Sequence, residues 1–332
     1  MVSSARQRQF RGTRQAAFSL GLAFVVASGC DDDAPPPAPP SAPAPPAPAP
    51  PAPRPVDAGP TLAAPSLDAA QPPSDAEPPT PEPKRDGCPE GMLRVEGSYC
   101  PAVVQQCLEH HPEYANNKGS KTVSERCLRY KEPSRCVSKE RRELAFCIDR
   151  YEYPNRKGEL PRVLTSWLEA RKLCAEQGKR LCTVDEFNFA CEGPEMRPYV
   201  NGFVRDAEKC NIDREYRYPD HSKRMLTYEA CLKDERCSAE LERLDQRHAI
   251  GARESCISWA GVVDMNGNVN EWVEREHKPP PHRSGLKGGW WGPVRNRCRP
   301  TVEFHKEHDY GYEAGFRCCA DLETPASPAP GE

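Results

Sequence analysis

The sequence predicts an α+β domain, rich in disulfides and preceded by a disordered Pro/Ala linker. Two uneven distributions and one local pattern carry that expectation. Twenty-one of the 38 prolines fall between residues 35 and 83. Sixteen of the 17 cysteines fall between residues 88 and 319, and none between 31 and 87. Within the cysteine-bearing part, short helical runs with capping residues alternate with strand-like runs closed by turn residues. This split excludes one globular body of 332 residues. It leaves about 235 residues to bury a core as one or two domains. A formal net charge of −3 without a basic run gives no electrostatic footprint for nucleic acid. The cysteine density exceeds what a reducing cytosol usually tolerates, so the protein is expected to be exported.

The N-terminus agrees. Arg6, Arg8, Arg11 and Arg14 precede a 13-residue apolar run at 16–28, too short to span a bilayer and suited to a signal peptide. Ala27-Ser28-Gly29-Cys30 places small residues directly before a lone cysteine. This resembles the bacterial lipoprotein lipobox, with Ala27 where leucine or valine is commoner. The resemblance implies acylation of Cys30 and a membrane-anchored lipoprotein of the bacterial cell envelope. Removing Cys30 from the count leaves an even sixteen cysteines. Residues 34–85 hold little apolar surface beyond alanine and cannot fold. About 50 such residues in polyproline II, at about 3.1 Å each, reach on the order of 150 Å. The expected organisation is a signal peptide at 1–29, a lipid-anchored Pro-rich linker at 30–85, a Cys-rich segment at 86–142, a main domain at 143–321, and a disordered tail at 322–332.

In the folded part, CPEGMLRVEGSYCP reads as a hairpin, with Met92, Leu93 and Val95 in a strand and Glu96-Gly97-Ser98 as its turn. Residues 102–147 are polar, so their cysteines are expected to act as staples. Ser166 with Glu169, and Thr183 with Glu186, form capping boxes before two short helices joined by Gly178-Lys179-Arg180-Leu181. One helix near 226–247 carries Cys231 and Cys237. Gly261-Val262-Val263-Asp264-Met265 reads as a strand entering the turn Asn266-Gly267-Asn268. Leu286-Lys287-Gly288-Gly289-Trp290-Trp291 reads as another strand, its glycines implying close backbone approach and its tryptophans one inside and one outside. Phe316-Arg317-Cys318-Cys319 reads as the last. Neighbouring strand residues face opposite sides, so Cys318 and Cys319 need different partners.

FCIDRYEYPN (146–155), the helix pair around GKRL, GVVDMNGNVNEW (261–272), LKGGWW (286–291) and GFRCCAD (315–321) occur in that order. Together they resemble the formylglycine-generating enzyme, or sulfatase-modifying factor, family. The resemblance implies a variant of the C-type-lectin-like α+β fold. It also implies oxidation of a substrate cysteine by copper on an active-site cysteine pair, lying between the GG strand and the RxRC segment. Here only Gly292-Pro293 separates Trp291 from Val294-Arg295-Asn296-Arg297-Cys298, and neither thiol is present. Trp290 also stands where the family has serine. The family's pattern implies the pairs Cys174–Cys318 and Cys191–Cys298; Cys182 with Cys319 and Cys210 with Cys256 are further candidate pairs. It implies calcium at Asp264, Gly267, Val269 and Glu271, two carboxylates and turn carbonyls suiting a hard cation. Asn211 resembles part of a second calcium site.

These features favour a catalytically inactive binding or structural module with an unidentified protein or small-molecule ligand. The alternative is a metal-dependent oxidoreductase of the same family using another metal arrangement, for which His305 and His308, near Asp309, are the local candidates. Copper is not expected, because its chemistry requires soft thiolates. No phosphate-binding loop, serine triad or CxxC pair is present.

Overall fold

A computed structural model describes residues 87–116 and 125–322. The signal peptide, Cys30, the Pro-rich linker and the tail from 323 onward lie outside the described residues. In chain order the elements are β1 (Met92–Tyr99), β2 (Val103–Val104), β3 (Cys107–His110), α1 (Pro112–Asn116), β4 (Cys127–Tyr130), β5 (Arg135–Cys136) and β6 (Arg142–Asp149). There follow α2 (Trp167–Ala175), β7 (Arg180–Leu181), α3 (Val184–Glu192), α4 (Tyr228–Cys231) and α5 (Glu235–Leu244). The last are β8 (Asn270–Glu274), β9 (Ser284–Lys287), β10 (Ala314–Phe316) and β11 (Cys318–Asp321). The main sheet has the order β1-β6-β11-β7, and a second sheet the order β10-β8-β9. In the second, β10 runs parallel to β8 and β9 antiparallel to it. Mixed helix and strand content is therefore present, as expected.

Both short helices around 178–181 begin at a side-chain cap. Thr183 and Glu186 close both halves of a capping box on α3. Ser166 accepts from the Glu169 N–H, but the Glu169 carboxylate turns away to Arg162 at 2.6 Å, so α2 has only half of its box. The apolar stripes of these helices meet the sheets. Phe187 and Phe189 pack with Val95, Tyr99, Phe146 and Ile148, while Trp167 packs with Trp272 and Phe316. The two buried indoles donate to backbone carbonyls, Trp167 to Val273 at 3.0 Å and Trp272 to Thr165 at 2.7 Å. Burial of these rings therefore leaves no donor unmet.

Four expectations need correction. Residues 92–99 form one strand, paired with β6 along its whole length, and the Glu96-Gly97-Ser98 turn does not form. A Cβ on Gly97 would lie 3.2 Å from the Phe189 ring, so the glycine serves packing against α3. This pairing also puts part of segment 86–142 in the main sheet. Residues 261–265 are not a strand: Val263 N–H bonds the Arg150 carbonyl, and Asp264 takes φ 61°. The helix near 226–247 is two short helices, linked by the Cys231–Cys237 disulfide. The final strand breaks at Arg317, whose side chain turns into the interior.

Candidate functional site

Strand β9 ends at Lys287, and Gly288 and Gly289 follow it with φ of 79° and 77°. A Cβ on Gly288 would meet the Met265 carbonyl at 2.7 Å, and one on Gly289 would meet the Asn296 backbone at 2.7 Å. The following loop therefore folds back on itself. Asn296 is fully buried; its amide donates to the Trp290 carbonyl and accepts from Arg205 at 2.6 Å. Cys298 is bonded to Cys191, with an S–S distance of 2.04 Å. Trp290 and Trp291 are both buried, at 8% and 0% exposure, against Tyr312. The split of one inside and one outside is thus corrected. The two glycines end the strand, so strict alternation stops before the tryptophans, and neither ring presents a ligand surface.

Cys174 is joined to Cys318, and Cys182 to Cys319. Cys210 pairs with Cys256. The four remaining bonds are Cys88–Cys147, Cys100–Cys136, Cys107–Cys127 and Cys231–Cys237. Every cysteine among the described residues is therefore in a disulfide. A copper centre of the thiolate type has no ligands there, and these residues do not fit that metal.

The loop from Asp264 to Glu271 is set against a buried charge cluster. Arg317 Nε and Nη2 donate to the two Glu271 carboxylate oxygens at 2.6 and 2.7 Å, with both side chains 1% exposed. Arg317 Nη2 also donates to the Val263 carbonyl at 3.0 Å. Asp264 accepts from the Gly251 N–H at 3.0 Å. Glu152, which the sequence reading did not single out, accepts from Asn268 Nδ2 at 2.6 Å and from the Val269 N–H at 3.2 Å. Burial pushes Glu152 well above the usual carboxylate range, and the charges of Asp264 and Glu271 push it further. Burial likewise raises Asp264, to about 6.

Three buried carboxylates thus lie around one guanidinium, a surplus of negative oxygen. Both Glu271 oxygens are held by Arg317, and both Glu152 oxygens accept hydrogen bonds, from Asn268 and from the Val269 N–H. Asn211 lies against the same loop, its carbonyl accepting from the Asn268 N–H at 2.9 Å. Its amide accepts from Arg214 Nε and donates to the Gln246 carbonyl and Asn268 Oδ1, each at 3.0 Å. Its carbonyl lies 2.2 Å from where a Gly267 Cβ would stand.

His305 lies at a bend and His308 in the turn that follows it, so they share no helix face. Their rings lie 3.7 and 3.8 Å from the Asp309 carboxylate. Among the described residues no group of three or more His, Cys, Asp or Glu side chains is placed to hold a metal ion. Lys287, also missed from the sequence, is 1% exposed and donates to Asn188 Oδ1 at 2.6 Å and the Arg299 carbonyl at 2.7 Å. Burial pushes its ammonium down to about 7.

Comparison with known proteins accounts for this framework. Two curated relatives, both called "Inactive C-alpha-formylglycine-generating enzyme 2", are 26% identical to the chain. The mouse protein matches over 179 residues, 51% of this chain and 52% of its own; the bovine one over 186 residues, 53% and 54%. The chain spans about half the length of the curated relatives it matches. Among solved structures, that of CarF is 13% identical with a TM-score of 0.42, covering 70% of this chain and 98% of its own. PvdO from Pseudomonas aeruginosa is 16% identical with a TM-score of 0.38, covering 72% and 100%. The family model described as "Sulfatase-modifying factor enzyme 1-like domain" matches residues 113–322, more than half of the 332 residues. The chain belongs to the sulfatase-modifying factor, or formylglycine-generating enzyme, family.

Proposed function

We propose that the protein is a non-catalytic member of its family, a binding module on a C-type-lectin-like scaffold. In this reading acylated Cys30 anchors it to a membrane of the bacterial envelope, and the Pro-rich linker carries the domain outward to an extracytoplasmic ligand. One observation carries the loss of catalysis. The segment that would hold the copper-binding cysteine pair is short, filled by Asn296 and two tryptophans, and closed by Cys191–Cys298. The word "inactive" in the names of the mouse and bovine relatives supports the same reading. The test is thiol titration of the purified, denatured but unreduced protein, with oxygen uptake measured in the presence of copper. The expected result is no free thiol in the domain and no copper-dependent oxygen consumption with a cysteine-bearing peptide. A reactive thiol pair, or oxygen turnover, would overturn it.

Calcium is part of this proposal as a structural ion, supplying positive charge to the carboxylate surplus. Asp264 and the Gly267 and Val269 carbonyls would hold it, with Glu152 beside them. Adding calcium to the protein in chelator-treated buffer at neutral pH is expected to raise the melting temperature, by more than magnesium does. Asp264→Asn is expected to remove that rise. An unchanged melting temperature, or the same calcium response in Asp264→Asn, would count against the ion.

A further inference from the structure

Among the described residues, Arg295 of the shortened loop has no counter-charge. Arg295 sits at φ 60°, half-buried, and its guanidinium makes no hydrogen bond or ion pair among the described residues. It lies over the face of Phe304, 5.6 Å away, a ring that is 67% exposed and packs against His305, whose protonated form burial and the Arg295 charge disfavour. A partly buried charge without a partner costs free energy, and here the backbone is also held in a conformation unfavourable for a non-glycine residue. Asn296, next in sequence, is locked between Trp290 and Arg205, which fixes the backbone from which Arg295 projects. The guanidinium lines a cavity of about 230 Å³ with Glu125, Arg297, Pro300 and Thr301. Arg297 is already paired with Glu125 at 2.8 Å and bonded to the Tyr130 hydroxyl. Two guanidiniums against one carboxylate leave the cavity with a surplus positive charge.

We propose that this cavity binds the carboxylate of an organic ligand, held by the Arg295 fork, with an apolar or aromatic part of that ligand lying against Phe304. A monoanion matches the single surplus charge better than a dianionic phosphate does, and the planar guanidinium is suited to the two oxygens of a carboxylate. The assignment rests on the reading of the chain as a binding module and names the ligand class of that module. The carboxylate can come from a small acid or from the C-terminus of a peptide.

The test is calorimetric titration of the purified protein with N-acetylphenylalanine, its amide, a pentapeptide ending in phenylalanine, and inorganic phosphate. Saturable binding of the acid, lost with the amide, is expected. Affinity should fall at least about tenfold in Arg295→Met and be partly kept in Arg295→Lys, since lysine keeps the charge but not the bidentate fork. Glu125→Gln, which removes the competing carboxylate, should bind the acid more tightly. Peptide binding tighter than that of the acid would assign a peptide terminus, and equal binding a small acid. The proposal is overturned if no carboxylate binds, if acid and amide bind alike, if phosphate binds more tightly, or if correctly folded Arg295→Met binds like the parent. None of these outcomes depends on thiols or oxygen, so a failure here is separable from a failure of the non-catalytic reading.

Discussion

Replacing Arg317 with methionine is expected to destabilise the domain by about 3–5 kcal/mol, the range for removing one partner of a buried ion pair. The side chain is fully interior, gives two hydrogen bonds to Glu271, and reaches the carbonyls of Val263, Asp149 and Arg150. Without it, Glu271, Glu152 and Asp264 are three buried carboxylates with no guanidinium among them. Methionine fills most of the volume, so the loss is electrostatic more than steric. Since whole domains are stable by about 5–15 kcal/mol, the variant will be marginal at 37 °C. Glu271→Gln alone removes one of the crowded charges and is expected to cost less. In the double variant the orphaned carboxylate at 271 is gone, so part of the Arg317→Met loss should return, a coupling measurable by urea unfolding of all four proteins. A loss below about 1 kcal/mol in Arg317→Met would show that water or protons, not Arg317, balance the cluster.

This cluster also shows where the sequence stopped being legible. The start of α3 could be read because a cap is local: Thr183 and Glu186 satisfy each other's backbone groups within one turn. The reading of Glu96-Gly97-Ser98 as a turn failed because Gly97 answers to Phe189, which is far away in sequence. Glu152 and Arg317 were both inside blocks that marked the family. Nothing local said that they would be buried, since charged residues mostly sit at the surface. Their flanks held the only hint: Glu152 lies among aromatics, and Arg317 stands between Phe316 and two cysteines. The N-terminal pairs, such as Cys100 with Cys136, needed the β2–β5 pairing that brings their strands together, which two-residue strands do not announce. Lys287 was equally hidden, its acceptors being a side chain on α3 and a carbonyl at Arg299.

The adjacent cysteines of β11 lead to the second large effect. Cys174–Cys318 and Cys182–Cys319 close nearly the same span, with sequence separations of 144 and 137. Each bond therefore limits what the other contributes. With Cys182–Cys319 intact, residues 174 and 318 remain near each other in the unfolded chain, through a residual loop of about ten residues. Chain-entropy arithmetic for such a loop gives a loss of about 3 kcal/mol when Cys174 and Cys318 are both changed to alanine. The same holds for the other pair. When all four cysteines are replaced, the next constraint on this span is Cys191–Cys298, which leaves a loop of about forty residues. That second step costs about 4 kcal/mol, so the fourfold variant should lose about 7 kcal/mol, roughly 1 kcal/mol more than two single losses together. Non-reducing urea unfolding of the three variants measures this directly. A fourfold loss no larger than either single loss would mean that β11 is held by its sheet pairing with β6 and β7, and the bridges contribute little to folding.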